Sequence, residues 1–193
     1  MFASIHAVED AAALLACAQV FSPLVEQTAA DTVVLDVSGL SRIYGLPQEI
    51  AAAIARRTRD AGLNARIAIA GNPDAAIQAA RAFPGISVIP FGEEGKFLGG
   101  LPVAALNLDP EIAETLERWG IRRFRDLATL PEIGLAGRLG EAGLRLQRLA
   151  RGEAERPLIP VPERLCFEEI LEPEHPVDLL EPLAFLLARL LNA

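Results

Sequence analysis

Three runs of strand-forming residues, separated by helical patterns, constrain the fold of the first ninety residues more than any other feature. The runs are residues 31–37, "NARIAIAG" and "GISVIP", and each is rich in β-branched or bulky apolar residues. Between the first two runs, Pro47 stands where a helix can begin and Gly62 where it can stop. An Ala-rich helical pattern over about residues 8–19 precedes the first run. This alternation predicts an α/β layer, in which helices cover a small sheet on one side.

The pattern changes after residue 90, where strand signals stop and short helical patterns alternate with turns up to Gly152. One helix is expected to begin at Pro110, with Asp109 as its N-cap. Residues 91–152 are therefore predicted to form a small all-α domain. The Pro-spaced residues 153–164 are predicted to be an extended linker. Residues 165–193 end in an amphipathic helical pattern with no later segment to cover it, which predicts that the chain is a piece of a longer protein.

Composition and charge exclude several classes of protein. No apolar run approaches the length of a membrane span, so no membrane partner is expected. No basic segment precedes an apolar block at the N-terminus, and Cys17 and Cys166 are far apart, which together predict a cytoplasmic protein with two free thiols. The net charge is −8. Because ten basic residues meet nine acidic ones over residues 96–156, only this part is suited to contact a phosphate backbone.

The stretch "DTVVLDVSG" has a carboxylate on each side of a predicted strand, which raises the question of a metal site. Side chains alternate between the faces of a strand, and Asp31 and Asp36 are an odd number of residues apart. They are therefore not expected to share one cation. Asp36 is suited to accept backbone amides near Ser38 and Gly39. Asp31 needs another partner, and its neighbour is Thr32.

Two further sets of side chains are candidates for binding. Arg138, Arg145 and Arg148 lie at intervals of seven and three residues, which predicts that they share one helix face and contact a DNA backbone. The alternative is a solvated face paired with the nearby Glu141. The two histidines, His6 and His175, lie in unrelated contexts and are predicted to be surface residues.

Several stretches, taken together and in order, resemble the Y-family (translesion, UmuC/DinB-like) DNA polymerases. "FSPLVEQTAADTVVLDVSG" is similar to the palm motif of that family, and "RIYG", "GLNARIAIAGN", "PGISVIP", "FLGGLPVAAL" and "WGIRRFRDLATLP" follow in the family's order. The resemblance implies a partial palm over residues 1–90 and a helix-hairpin-helix-like thumb over 91–152. After the linker at 153–164, residues 165–193 would begin a little finger domain. The family's first palm strand, with one metal-binding carboxylate, and its fingers domain would lie upstream.

The chain departs from the family at the residues that would carry the chemistry. Asp31 matches the Asp of the family's S-I-D-E, but Thr32 stands in place of its Glu. Two-metal phosphoryl transfer needs several hard oxygen ligands, and a threonine hydroxyl brings no charge. Pro73 and Ile77 stand where the family has lysines that meet the nucleotide triphosphate. No catalytic residue and no cofactor are therefore expected: Asp31 would be vestigial, and Mg²⁺ would bind only if the protein were active.

The predicted thumb also departs from its family pattern. Family thumbs bind the DNA backbone through a turn of G-I-G type, whereas this chain has "NLD". Asn107 and Leu108 would be the DNA-contacting residues of this turn. Asp109 is expected to satisfy the amides at the start of the helix itself, which would weaken contact with DNA.

These departures together resemble the ImuB-type branch, whose members are Y-family homologues that do not polymerise. The resemblance implies an adaptor in bacterial DNA-damage tolerance and induced mutagenesis, with weak binding to primer-template DNA. A sliding clamp and a replicative-type polymerase would bind through regions outside this chain. Two alternatives stay open at this point. One is an active translesion polymerase with a divergent metal site, and the other is a DNA-binding repair module that uses only the thumb.

Overall fold

The computed structural model describes residues 1–106, 108–154, 156–162 and 179–191. Five strands are Phe2–His6 (β1), Val25–Ala29 (β2), Thr32–Asp36 (β3), Arg66–Ala70 (β4) and Ile86–Val88 (β5). The first helices are Ala11–Gln19 (α1), Ser41–Tyr44 (α2), Pro47–Asp60 (α3), Pro73–Ala82 (α4) and Glu94–Leu98 (α5). They are followed by a 3-10 helix, Val103–Leu106, and by Pro110–Arg118 (α6), Phe124–Ala128 (α7), Glu132–Arg151 (α8) and Leu180–Leu191 (α9).

The strands form one mixed sheet in the order β2-β3-β1-β4-β5. β1 pairs antiparallel with both β3 and β4, and β4 pairs parallel with β5. The three predicted strands are confirmed, but the central strand β1 was not predicted. Its sequence, "FASIH", has one β-branched residue and no turn signal before it, so nothing local marks it as a strand. Its place depends on pairing with two strands that lie far away in sequence.

Helices cover both faces of the sheet, so the prediction of a sheet covered on one side is wrong. On one face, α1 and α3 pack in a first hydrophobic cluster that includes Ile5, Leu35 and Ile67. On the other face, α4 packs against β1 and β4 in a second cluster that includes Ala68 and Ala70. Residues 32–35 of β3 are fully buried. The consecutive apolar residues Val33, Val34 and Leu35 are typical of a strand that is buried on both faces.

The second hydrophobic cluster extends into the helices that follow residue 90. Its largest fully buried members there are Leu98, Leu116, Phe124, Leu127 and Leu135. Residues 1–161 consequently form one compact unit. The boundary between residues 90 and 91 stays a prediction, and the buried cluster crosses it. An α/β part followed by a helical part is confirmed.

Part of the predicted linker is bound to the sheet. Arg156 donates to Asp74 of α4 at 2.9 Å and to Glu26 of β2 at 2.7 Å. The amide of Ile159 donates to Glu26, and the amide of Val161 donates to the Val25 carbonyl at 2.8 Å. Residues 156–161 therefore lie along the edge strand rather than free in solution.

The C-terminal part is a unit of its own, residues 162–193, and is described only in its helix α9. This confirms the predicted C-terminal helix, which exposes Leu180, Leu183, Phe185 and Leu187. Residues 165–178, 192 and 193 of the predicted little finger domain, and residues 163 and 164 of the predicted linker, lie outside the described residues. Among the helices that the structure describes, none is long and apolar enough to cross a membrane.

Candidate functional site

A polar cluster lies at the end of the sheet where β1 ends and β3 begins. The register of the two strands places His6 opposite Thr32. Asp31 directly precedes β3, and Arg81 lies in the last turn of α4, which packs on this face. Three segments that are far apart in sequence therefore meet at one point.

The Thr32 hydroxyl is the centre of the cluster. It donates to Asp31 Oδ1 at 2.8 Å and accepts from Arg81 Nε at 3.2 Å. His6 Nδ1 lies 3.1 Å from the same oxygen. Because the hydroxyl has one proton, which goes to Asp31, the proton of this third hydrogen bond belongs to His6 Nδ1. Thr32 is fully buried, so all of its hydrogen-bonding capacity is used inside the protein.

The charges of the cluster balance without further groups. Arg81 Nη2 lies 3.7 Å and His6 Nδ1 3.9 Å from the Asp31 carboxylate. The hydrogen bond from Thr32, with help from His6 and Arg81, lowers the pKa of Asp31. Burial lowers the pKa of His6 below 6.5, against the opposing effect of Asp31. At neutral pH, Asp31 is an anion, His6 is neutral and the Arg81 guanidinium balances Asp31.

These residues do not fit a pair of catalytic Mg²⁺ ions. Such ions need several carboxylate oxygens around them. β1 runs beside Asp31 and offers only His6 and Ala7 at this end. Within the described part of the chain, no group of three or more His, Cys, Asp or Glu side chains could hold a metal ion.

The two positions where the resemblance places lysines are apolar and buried. Pro73 begins α4, and Ile77 is 6% exposed. Asn72 caps this helix by accepting from the Ala75 amide at 2.8 Å, and its side-chain amide donates to the Gly152 carbonyl. The first turn of α4 therefore joins the sheet to the end of α8 and offers no side-chain cation to a triphosphate.

The predicted DNA-contacting turn is described only in Leu108 and Asp109. Asn107 lies outside the described residues. Leu108 is half-buried and packs against the second hydrophobic cluster. The Asp109 side chain makes no capping hydrogen bond to α6, so the prediction that it satisfies those amides is wrong. Pro110 at the first helical position removes one of the amides that would need a partner.

The three candidate arginines do not share one helix face, so that prediction is wrong. Gly140 has φ 61° and ψ −151°, which breaks α8 between Arg138 and the other two arginines. Arg148 pairs with Glu141, as in the alternative considered from the sequence. Arg145 and Arg148 line an open cleft of about 360 Å³ together with Asp74, Glu141 and Arg156. All three candidate arginines are exposed.

Sequence reasoning missed two members of the polar cluster. His6 was predicted to be a surface residue, but its side chain is 14% exposed and contacts Thr32. Arg81 was not singled out. One usable signal was its spacing of four residues from Ile77, which places both on the sheet-facing side of α4. His175 lies outside the described residues.

The fold and this site define a class of protein. Residues 6–81 match the model of the impB/mucB/samB family. The crystal structure of DinB from Sulfolobus solfataricus matches with a TM-score of 0.59 and 21% identity, over 77% of this chain and 46% of that chain. A Y-family DNA polymerase chimera matches with a TM-score of 0.62 and 20% identity, over 79% and 46%. These two likenesses show the fold.

Two curated relatives are more similar in sequence. Protein ImuB of Caulobacter vibrioides (strain NA1000 / CB15N) is 35% identical over 161 residues, which cover 80% of this chain and 35% of that protein. DNA polymerase IV of Dehalococcoides mccartyi (strain CBDB1) is 37% identical over 142 residues, which cover 72% and 36%. With the family match, these relatives make this chain a homologue of the Y-family DNA polymerases, as the resemblance predicted. The chain spans about a third of the length of these relatives.

Proposed function

We propose that this chain is part of a cytoplasmic, non-catalytic Y-family homologue that acts as an adaptor in bacterial DNA-damage tolerance. The proposal depends mainly on the burial and the hydrogen bonds of Thr32. It stands where the family has a metal-binding Glu, it is fully buried, and its hydroxyl is bonded to Asp31, Arg81 and His6. These three hydrogen bonds stabilise the end of the sheet and leave the Thr32 hydroxyl with no free lone pair for a metal ion.

The surroundings of Thr32 support the same conclusion. Two-metal catalysis needs ligands that neutralise a triphosphate and lower the pKa of the attacking hydroxyl. The Arg81 guanidinium beside Asp31 repels a second cation. The lysine positions of α4 are Pro73 and Ile77, which bring no charge. The likeness to Protein ImuB over 80% of the chain agrees with this hypothesis.

The proposed partners act largely outside this chain. We expect a sliding clamp and a replicative-type polymerase to bind regions beyond these residues. Primer-template DNA is expected to bind here weakly, through exposed arginines of α8. Arg138 and Arg145 make no ion pair with the residues that the structure describes, whereas Arg148 is partly neutralised by Glu141. Affinity should therefore fall steeply as salt rises.

Primer extension by the full-length protein tests the lack of catalysis. Wild type and Asp31→Ala are assayed with Mg²⁺ and with Mn²⁺, beside an active DNA polymerase IV, and a pull-down tests capture of the sliding clamp. No extension, together with clamp capture, is the expected result. Extension that Asp31→Ala abolishes would overturn the proposal and support the alternative of an active polymerase, which the likeness to DNA polymerase IV favours.

Salt-dependent DNA binding tests the role of α8. The double variant Arg138→Glu/Arg145→Glu is compared by fluorescence anisotropy with Arg56→Glu/Arg59→Glu, an equal change of charge on exposed positions of α3. The plot of log affinity against log salt has a negative slope, and the α8 variant should make it less steep by about 2. Each of the two lost phosphate contacts contributes about 0.9 to the steepness. Equal slopes in the two variants would remove α8 from the DNA interface.

The thumb-only alternative is less compatible with the packing. The helices after residue 90 share the second hydrophobic cluster with α4 and β4. Isolating residues 91–156 would expose Leu98 and other members of this cluster to water. We therefore propose that the helices after residue 90 bind DNA only as part of the compact unit of residues 1–161.

A further inference from the structure

The Asp31 carboxylate already has a cation beside it, which comes from the chain itself. Arg81 Nη2 lies 3.7 Å from Asp31 Oδ1, and its Nε donates to Thr32 at 3.2 Å. The guanidinium therefore contacts the Asp31 position and the Thr32 position together. In the family these are the positions of two metal-binding carboxylates.

A further hydrogen bond fixes the backbone of Arg81. The Arg66 guanidinium donates from Nη1 to the Arg81 backbone carbonyl at 2.9 Å. This bond ties the end of α4 to the start of β4, which pairs with β1. Arg81 is 28% exposed, so its charge is only partly screened by water.

We propose that the Arg81 guanidinium is the resident cation of this site and takes over the charge-balancing role that divalent ions have in polymerising relatives. The inference rests on the proposed non-catalytic function and gives it a physical cause. It follows that the fold of this region does not depend on divalent ions. In this replacement, Thr32 stands in place of the family Glu, and the Arg81 guanidinium stands in place of the divalent ions.

The chemistry of the two kinds of cation supports this replacement. A guanidinium is charged at every relevant pH and donates in a fixed plane, so it can bond a hydroxyl and face a carboxylate at once. Mg²⁺ instead demands near-octahedral oxygen ligands and retains several waters. A site with one carboxylate, one hydroxyl and a neutral imidazole suits the guanidinium. His6 is not an available ligand through Nδ1, because that nitrogen donates to Thr32.

Thermal unfolding of the 193-residue chain in EDTA and in Mn²⁺ tests the inference. Wild type should melt at the same temperature in both. Arg81→Glu places a second carboxylate beside Asp31, so this variant should melt lower in EDTA and recover in Mn²⁺, which the two neighbouring carboxylates would bind. Arg59→Glu, an equal charge change on the exposed side of α3, should show no response to Mn²⁺.

Three outcomes would overturn the inference: a rise in the wild-type melting temperature with Mn²⁺, the same response in Arg59→Glu and Arg81→Glu, or no response in Arg81→Glu. If Arg81→Glu does not fold in either buffer, Arg81→Gln decides. It should melt below Arg59→Gln, and equal melting temperatures would refute the role of Arg81.

The two proposals fail separately. Primer extension by the full-length protein would refute the non-catalytic function whatever the melting data show. Without extension, a failed Mn²⁺ test refutes only the role of Arg81.

Discussion

An aspartate lies at each end of strand β3, and the two aspartates have different surroundings. Asp31 lies at the near end, beside the polar cluster, and Asp36 lies at the far end. At the far end, Asp36 accepts from the Ser38 amide at 2.9 Å and from the Ser38 hydroxyl at 2.6 Å. Ser38 in turn accepts from the amino group of Met1 at 2.8 Å. The two bonds between Asp36 and Ser38 form a local turn, which Met1 contacts from 37 residues away. The prediction that Asp36 accepts an amide near Ser38 is confirmed.

At the near end, Asp31 depends on segments that are distant in sequence. Its partners are Thr32 beside it, His6 from β1 and Arg81 from α4. Asp31 and Asp36 are five residues apart along the strand, which is about 16 Å at about 3.3 Å per residue. A carboxylate next to a strand therefore acquires its role from the groups that the fold brings to it.

Removing the packing that joins the two ends should have the largest effect. Leu35 is fully buried in β3 between them. Leu35→Ala is expected to lower the free energy of unfolding by about 2–5 kcal/mol, through lost burial and the cavity left behind. Urea unfolding measures this loss, with Leu46→Ala as a control at an exposed position. A loss as small as that of the control would show that β3 does not couple the two ends.

Removing the hydroxyl at the near end should have the next largest effect. Thr32→Val keeps the shape of the side chain but leaves Asp31, His6 and Arg81 without their shared partner. A loss of about 1–2 kcal/mol is expected, since buried polar groups then lack hydrogen bonds. In a double-mutant cycle with Arg81→Gln the two losses should not add. Additive losses would mean that the cluster does not act as a unit.

The far end should respond more weakly and independently. Asp36→Ala removes the acceptor for Ser38 and should cost about 0.5–1 kcal/mol. Combined with Thr32→Val, the two losses should add within about 0.5 kcal/mol, because the sites share no partner. Urea unfolding of the single and double variants tests this. Strong coupling would contradict the separation of the two ends.

The smallest expected effect is a pH dependence of the free energy of unfolding, which arises from His6 and Asp31 at the near end. Burial lowers the pKa of His6 below 6.5, so the unfolded chain binds this proton more readily than the folded protein. The contribution of neutral His6 to stability is present above pH 6.5 and is lost as the pH falls through 6.5 towards the folded pKa. Asp31, whose pKa is also lowered, loses its contribution only at more acidic pH, below 3.8.

His6→Gln should therefore flatten the pH dependence of urea unfolding between about pH 7 and about pH 5, the range in which histidine titrates. Asp36→Ala serves as the control at the far end and should keep the wild-type slope over this range. If wild type and His6→Gln lose stability in parallel, His6 is not the group that titrates.

Most of the elements could be predicted from local signals. Pro47 begins a helix, as its position indicates, and Gly152 ends α8 with φ 71°. The absence of an acid at Thr32 and of lysines at Pro73 and Ile77 is visible in the residues themselves. The break at Gly140 could not be predicted, because a helical pattern alone does not show which glycine adopts a positive φ.

By itself, the sequence determined the strand character of residues 32–36, the turn at Asp36 and the lack of a second acid beside Asp31. Each of these depends on groups within a few residues, whose hydrogen bonds or chemistry can be deduced from spacing. Only the tertiary structure decided that β1 lies at the centre of the sheet and that Arg81 meets Asp31. Those contacts join residues that are between 25 positions apart, for His6 and Asp31, and 68 positions apart, for Phe2 and Ala70. They depend on strand register and on helix packing across the sheet, and no local pattern specifies either.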